Sequence, residues 1–383
     1  MSEKIPLNIK AFAWASFLRD VASEMVYPLL PGFFANVLRT GATFLGITEG
    51  IAEATASVLK GVSGYWSDRV KRRKPMVLLG YGISALTTPL IGFAYHWWVV
   101  LAARFGDRVG KGIRTAPRDA LIADSVSENI RGKSFGLHRA ADTAGAVVGP
   151  LLAWLLMWLT GNNYRLVFWL SLIPGVICVL VLVLFVKETG IARIKKGIRA
   201  SLKELPIPFF TFLAIMGFFS LGNSSNTFLL LKAQASGVAP ALVPALYALF
   251  NIVYAATAYP LGALSDRWGR RTLLIIGFLI YGAVYLLSAL TGFAWAWWLI
   301  LPLYGLFYGA TDGVQRAMVA DVVKDERLRG TAYGLYHMTV GVLLLPASLL
   351  AGFLWDKVSP QTPFFIGGAV GVSAAIMLIF WKR

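Results

Sequence analysis

The sequence predicts an all-α integral membrane fold, with twelve transmembrane helices in two pseudo-symmetric six-helix bundles. Three observations lead there. Of the 383 residues, 57% are hydrophobic and only 14% are charged, and the mean hydropathy is +0.67, outside the range of a soluble domain. Polar punctuation divides the chain into twelve apolar stretches, each long enough for a crossing, which needs about 20 helical residues. Finally, Gly64-Tyr-Trp-Ser67-Asp68-Arg69-Val-Lys71-Arg72-Arg73-Lys74 recurs as Gly262-Ala-Leu-Ser265-Asp266-Arg267-Trp-Gly269-Arg270-Arg271-Thr272, at an offset of 262 − 64 = 198 residues. Reuse of one polar loop at the same place in each half is how many two-bundle membrane proteins are built.

The twelve predicted spans are 11–38, 43–66, 75–95, 97–123, 132–160, 165–187, 208–233, 241–265, 272–291, 295–320, 330–356 and 362–382. The first begins after Lys4 and Lys10. It is too long for a signal sequence and contains Asp20 and Glu24 with no small-residue cleavage site, so it reads as a retained helix. Alternating short strands, the mark of a barrel, are not seen. Residues 188–207 form the one long hydrophilic connection, basic and proline-containing, and divide an N-terminal bundle (1–187) from a C-terminal bundle (208–383). The 198-residue register continues past the loop: Arg118 maps on Arg316, Arg131-Gly132 on Arg329-Gly330, and Phe135-Gly136-Leu137 on Tyr333-Gly334-Leu335.

A net charge of +17 in a soluble protein would point to nucleic acid. Here Lys and Arg collect in alternate loops: 69–74, 131–133, 187–203, 267–271, 324–329 and the C-terminus. That asymmetry follows the positive-inside rule and places both termini in the cytoplasm. The surplus is topogenic, and no nucleic-acid partner is expected. The single cysteine, Cys178, lies inside the sixth span and excludes an intramolecular disulfide or a cysteine metal cluster.

The repeated loop resembles the Gly-x-x-x-Asp-Arg-x-Gly-Arg-Arg/Lys signature of the major facilitator superfamily, and the resemblance covers nearly the whole chain. The second copy keeps the inner glycine as Gly269, whereas the first has Lys71. Arg108-Val-Gly-Lys111-Gly112 resembles the family's fourth-helix element, and Tyr27-Pro28-Leu-Leu-Pro31 its first-helix ending. Gly136, Gly145, Gly149 and Pro150 are similar to the fifth-helix pattern associated with antiporters, although Ala153-Trp154 replaces its closing glycines. The resemblance implies alternating access between two bundles. It also implies a cytoplasmic gate built from Gly64, Asp68, Arg69 and Arg72 with Asp124, and from Gly262, Asp266, Arg267 and Arg270. The physical chemistry agrees. Asp68 can accept charge-assisted hydrogen bonds from nearby arginines, with Asp124 expected to pair with Arg69 or Arg72. Gly145 and Gly149, four residues apart, offer a stripe for close helix packing.

Ionisable groups at membrane depth are costly and face a cavity or one another. The first span carries Arg19, Asp20 and Glu24, the second Glu49 and Glu53, and the fourth Arg104, Arg108, Lys111, Arg114 and Arg118, joined by Asp107 and Asp119. The fifth adds His138, Arg139 and Asp142. An acidic wall and a basic wall are therefore expected in the first bundle. The second bundle is milder, with Asn223, Asn226, Asn251, Tyr254, Tyr304, Tyr308, Asp312, Gln315 and Arg316. This predicts ion coupling in the first bundle and substrate contacts in both. Glu24 and Glu53, nearest the middle of their spans, lead the proton-coupling candidates, followed by Asp20, Glu49 and Asp142. Arg19, Arg104, Arg108, Lys111, Arg114, His138, Asn223, Asn226, Asn251, Tyr304, Tyr308, Asp312 and Gln315 are the substrate candidates.

No nucleophile elbow, His-Glu-x-x-His or phosphate loop is present, so an enzyme is not expected. Nor is a metal or a cofactor, other than the proton as coupling ion. The expected partners are the lipid bilayer and a small organic solute, the expected location is a prokaryotic plasma membrane, and the chain is expected to act as a monomer. Proton-coupled export leads. Proton-linked uptake of an organic anion or metal chelate, and a receptor-like member that does not transport, remain open.

Overall fold

The computed structural model describes residues 5–67, 72–188 and 202–381, excluding the side chains of residues 61, 64–67, 128, 129, 203, 326 and 327. The described residues are predominantly helical and contain no strand. Twelve helices follow one another: α1 (Leu7–Leu38), α2 (Ala42–Ser67), α3 (Lys74–Phe93), α4 (Trp97–Asp124), α5 (Glu128–Leu159), α6 (Tyr164–Phe185), α7 (Ile207–Ala235), α8 (Pro240–Trp268), α9 (Arg270–Leu290), α10 (Trp297–Val322), α11 (Glu326–Lys357) and α12 (Thr362–Phe380). Among the described residues, nine of these are long and apolar enough to cross a membrane; α2, α4 and α10 are outside that set.

The chain separates into two compact units. Unit 1 holds residues 1–38 and 51–196, and unit 2 holds residues 39–50 and 197–383. The seam therefore runs through α2, between Gly50 and Ile51. Helix pairing repeats in register. In unit 1, α1 packs along α5 and α6, and α3 along α4 and α6. In unit 2, α7 packs along α11 and α12, and α9 along α10 and α12. The α8–α10 pair of unit 2 is matched in unit 1 by α2 on α4, where Ser63 Oγ donates to the Gly112 carbonyl at 2.7 Å.

Local sequence explains the interruptions. Pro28 and Pro31 lack a donor N–H, and around them α1 passes through a tight turn at Tyr27–Leu29 and a wide one at Phe33–Leu38. Gly269, at φ +87°, occupies backbone space that disfavours side chains, so α8 stops and α9 starts within one residue. The equivalent position, Lys71, lies outside the described residues. At the start of α3, the Glu188 carboxylate accepts from the Arg73 and Lys74 backbone N–H groups, both at 2.9 Å, capping the helix from just beyond the end of α6.

Helix α7 is broken. Its α-helical turns run Ile207–Gly222 and Thr227–Ala235, and Asn223 between them has φ −96°, ψ 79°. The break removes the intrahelical partner of the Gly222 carbonyl, and Tyr281 Oη of α9 replaces it at 2.9 Å in a buried site. Tyr281→Phe will therefore strand a buried acceptor. The expected loss is about 1–3 kcal/mol, seen as a lower unfolding midpoint of the purified protein; an unchanged midpoint would show that the break does not need the hydroxyl.

Candidate functional site

Unit 1 brings the acidic and basic walls into one network. On α1, the buried Arg19 donates to Asp107 Oδ1 of α4 at 2.6 Å and to Thr88 Oγ1 of α3 at 2.8 Å. Asp107 is shared: Arg104 Nη1 is 3.6 Å and Arg108 Nε 3.9 Å from its other oxygen. Arg108 also pairs with Glu53 of α2 at 3.1 Å. Arg104 is further positioned over the Tyr27 ring at 5.6 Å, a favourable cation–π placement. Arg114 donates to Ser84 Oγ at 2.6 Å and lies 4.4 Å over Tyr81. Arg118 is turned to its neighbour Asp119.

These contacts sort the candidate acids by what holds them. Glu53 is ion-paired. Glu49 is fully buried and lies in the stretch of α2 that belongs to unit 2. Asp142 accepts from Ser16 Oγ and has His138 Nδ1 3.7 Å away, while the buried Nε2 of His138 meets no partner. Asp20 and Glu24, one turn apart on α1, are half-buried and make no salt bridge among the described residues. Glu24 Oε2 is buried without a hydrogen-bond partner. The surrounding charges are Asp142, Lys111, Arg114 and Arg19 for Asp20, and Asp20, Lys111, Arg108 and Arg104 for Glu24. Lys111 is the lysine that both acids see.

The helix-5 stripe supports this pair of acids. A Cβ on Gly145 would meet the Phe17 carbonyl oxygen at 2.5 Å and Asp20 Cβ at 2.9 Å; one on Gly149 would meet Glu24 Cβ and the Val21 carbonyl oxygen, each at 2.8 Å. The two glycines thus seat α1 against α5 at the level of Asp20 and Glu24, with buried Pro150 beside Gly149. Gly136 has open space where a side chain would project and is not part of that seam.

In unit 2, four tyrosines converge on the break in α7. Besides Tyr281, the buried Tyr285 stacks on the Tyr281 ring with centroids 4.1 Å apart. Tyr304 and Tyr308 of α10 both donate to Asn226 Oδ1, at 2.8 and 3.1 Å. With its carbonyl oxygen so occupied, Asn226 keeps its amide N–H groups as donors. Asn223 Oδ1 is buried without a partner. Tyr254 donates to Asp312 Oδ2 at 2.7 Å, Arg316 closes on the same oxygen, and Gln315 Oε1 accepts from Tyr336 at 2.5 Å. Phe250 stacks on Tyr304 at 5.5 Å and meets Tyr308 edge-on at 5.4 Å; Asn251, beside it on α8, is buried.

Of the repeated loop, the second copy is described. Arg270 bridges Asp266 at 3.1 Å and Asp321 at 2.7 Å, and Arg267 is exposed. Gly262 has open space around it. In the first copy Gly64 lies within α2, and Asp68 and Arg69 fall outside the described residues. Asp124 is held by Arg73 at 2.5 Å, one residue past the expected Arg72, which is exposed. Arg73 is the residue that enters α3, and from there its side chain reaches the end of α4.

Asp107, Thr88, Ser84, Tyr81 and Asp321 were not among the expected site residues. In the sequence Asp107 is one of the charges of the fourth span and carries no role of its own, although it sits three residues after Arg104 and immediately before Arg108. Asp321 hides because Arg118 to Asp124 spans six residues and Arg316 to Asp321 only five, a one-residue slip in the repeat.

Comparison with known proteins agrees with this architecture. The family model described as Major Facilitator Superfamily matches residues 12–222 and 209–383. An MFS-type transporter of Methanocaldococcus jannaschii is 36% identical over 384 residues, covering 97% of this chain and 94% of the relative. The multidrug resistance protein MdtH of Salmonella arizonae is 24% identical over 357 residues, covering 91% and 87%. Among solved structures, a mutant form of the nucleoside transporter NupG superposes with a TM-score of 0.82 at 14% identity, covering 99% of this chain and all of that one (100%). With matching relatives in bacteria and archaea and a family model spanning both halves, this twelve-helix chain belongs to the major facilitator superfamily and is a multi-pass membrane transporter.

Proposed function

We propose that the protein is a proton-coupled exporter of a small organic solute, working by alternating access with both termini in the cytoplasm. Glu24, assisted by Asp20, takes up and releases the coupling proton. One observation carries this reading: Glu24 Oε2 is buried with no partner, whereas Asp107 and Glu53 are compensated by arginines. A buried polar atom without a partner is costly, and a proton bound there would supply what Oε2 lacks. Neutralising Asp107 or Glu53 would instead uncover arginine charge. Lys111 is within electrostatic reach of both carboxylates. Export is supported by the Gly145–Gly149–Pro150 stripe and by the similarity to a multidrug resistance protein. On the substrate side, the amide donors of Asn226, next to Tyr308 and its ring neighbours Phe250 and Tyr254, suit a planar organic molecule bearing a hydrogen-bond acceptor.

A thermal-shift screen of organic anions and aromatic cations on purified protein supplies a ligand for proteoliposome transport with and without a pH gradient. Glu24→Gln is expected to lose gradient-driven transport while keeping counterflow, since counterflow needs substrate exchange but no net proton movement. Glu53→Gln is expected to keep the gradient response and lose stability, because Arg108 is left without its carboxylate. Full gradient-driven transport by both Glu24→Gln and Asp20→Asn would refute the assignment.

A further inference from the structure

Helix α2 begins with an uncapped sequence. Gly41, the residue before Ala42, has no side chain to accept from the free N–H groups of the first turn. The acceptor comes from another helix. The Asp356 carboxylate at the end of α11 takes the Ala42 N–H at 2.9 Å, the Thr43 N–H at 2.8 Å and the Thr43 hydroxyl at 2.7 Å. An anion at a helix N-terminus is also favoured by the helix dipole, and bonds to an ionised acceptor are stronger than neutral ones.

Below the carboxylate the two helices close backbone to backbone. A Cβ on Gly352 would meet the Ala42 carbonyl oxygen at 2.6 Å and Thr43 Cα at 2.7 Å; one on Gly46 would strike the Ser348 carbonyl; one on Gly50 would meet Leu345 Cδ1 at 2.8 Å. All of these residues lie in unit 2, and the seam ends where that unit's share of α2 ends, at Gly50. The remaining turns of α2 belong to unit 1. The pseudo-symmetry does not repeat the device: 356 − 198 = 158, and position 158 is the exposed Trp158.

We propose that Asp356 is a single-sided clamp. It caps α2 and locks the Gly41–Gly50 half of that helix onto α11, and it must let go for the end of the protein away from the termini to open. The proposal rests on the alternating-access reading above but not on its proton chemistry. Release is a two-state event, because three hydrogen bonds share one carboxylate and a glycine seam admits no partial separation without exposing backbone.

The test uses a thiol placed on the clamped half of α2, between Gly46 and Gly50 in sequence. Thr48 is fully buried and its hydroxyl bonds only within α2, to the Phe44 carbonyl; the one native cysteine, Cys178, is buried elsewhere. Thr48→Cys in otherwise intact protein in nanodiscs is exposed to a polar maleimide, so that both membrane faces meet the reagent. Labelling is expected to be slow with Asp356 present and faster by about tenfold or more in Asp356→Ala, the change that about 1.4 kcal/mol produces in an opening equilibrium. Thr43→Ala, which deletes only the hydroxyl donor, should give a smaller increase in the same direction and stands in if Asp356→Ala does not fold. An unchanged rate in either well-folded variant overturns the clamp. Because no pH gradient is applied, a wrong proton assignment would leave this result intact. An Asp356→Ala variant that labels faster yet moves ligand with normal gradient dependence would keep the clamp and separate it from coupling.

Discussion

Asp107→Ala will remove most of the folded protein, with an expected penalty at the upper end of the about 3–5 kcal/mol typical of breaking a buried ion pair. Three arginines depend on this one carboxylate: Arg19 at 2.6 Å, Arg104 at 3.6 Å and Arg108 at 3.9 Å. Removing Asp107 leaves Arg108 with Glu53 and Arg104 with the Tyr27 ring, but Arg19 keeps only the neutral Thr88 hydroxyl. Arg19 is 2% exposed, and its Nε and Nη1 already lack partners, so it has no route to water. Arg19→Ala should be milder, because Asp107 retains two guanidinium neighbours. The double change Arg19→Met with Asp107→Leu should recover part of the loss, since apolar residues of similar volume often replace a buried pair at little cost. Thermal unfolding of the three variants in detergent checks the order. A double variant no more stable than Asp107→Ala would show that the pair contributes more than mutual compensation.

Gly149→Ala adds only a methyl group to α5 and will still be strongly damaging. The new Cβ has two contacts at 2.8 Å, one of them backbone, so α1 itself must move. Overpacking of this kind costs about 1–3 kcal/mol, and here the displaced residue is Glu24. The variant should therefore lose both stability and pH-driven transport. Gly145→Ala should behave alike through Phe17 and Asp20. Gly136→Ala is the internal control: it has room for the methyl and should gain up to about 1 kcal/mol from helix propensity. Equal effects at all three positions would mean that the stripe acts through helix flexibility and not through the α1–α5 contact.

Much of the fold was legible because hydropathy, the repeat and the loop charges are all written along the chain. Span ends were less so. α5 begins at Glu128 where 132 was expected, because a helix need not stop where the bilayer does and the basic residues at its start are good helix formers. The break in α7 was signalled only as a polar quartet, Asn223-Ser-Ser-Asn226. That the chain unwinds there depends on tyrosines donated by α9 and α10. The site was half-legible. The i,i+4 spacing of Asp20 and Glu24 and the cations of α4 were visible in sequence, but which acid meets which arginine is decided by the register between helices. Glu24 and Glu53 read alike in the chain, and only packing gives Arg108 to one and no partner to the other. Asp356 gave no signal at all, since a charge at the end of a span is ordinary and its capping role lies 313 residues away from Thr43.

The charge network of α4 also bears on how the chain reaches the membrane. α4 is not among the helices apolar enough to cross by themselves, and each arginine at a helix centre opposes insertion by about 2.5–3.5 kcal/mol. Its compensating groups, Arg19 to receive Asp107 and Glu53 to receive Arg108, are synthesised earlier, on α1 and α2. The order of synthesis thus supplies the partners before the charges that need them, and α4 can leave the insertion machinery only in their company. Substitutions at Arg19 or Glu53 would then lower the yield of membrane-inserted chains during biogenesis, before any effect on transport by the finished molecule could be measured.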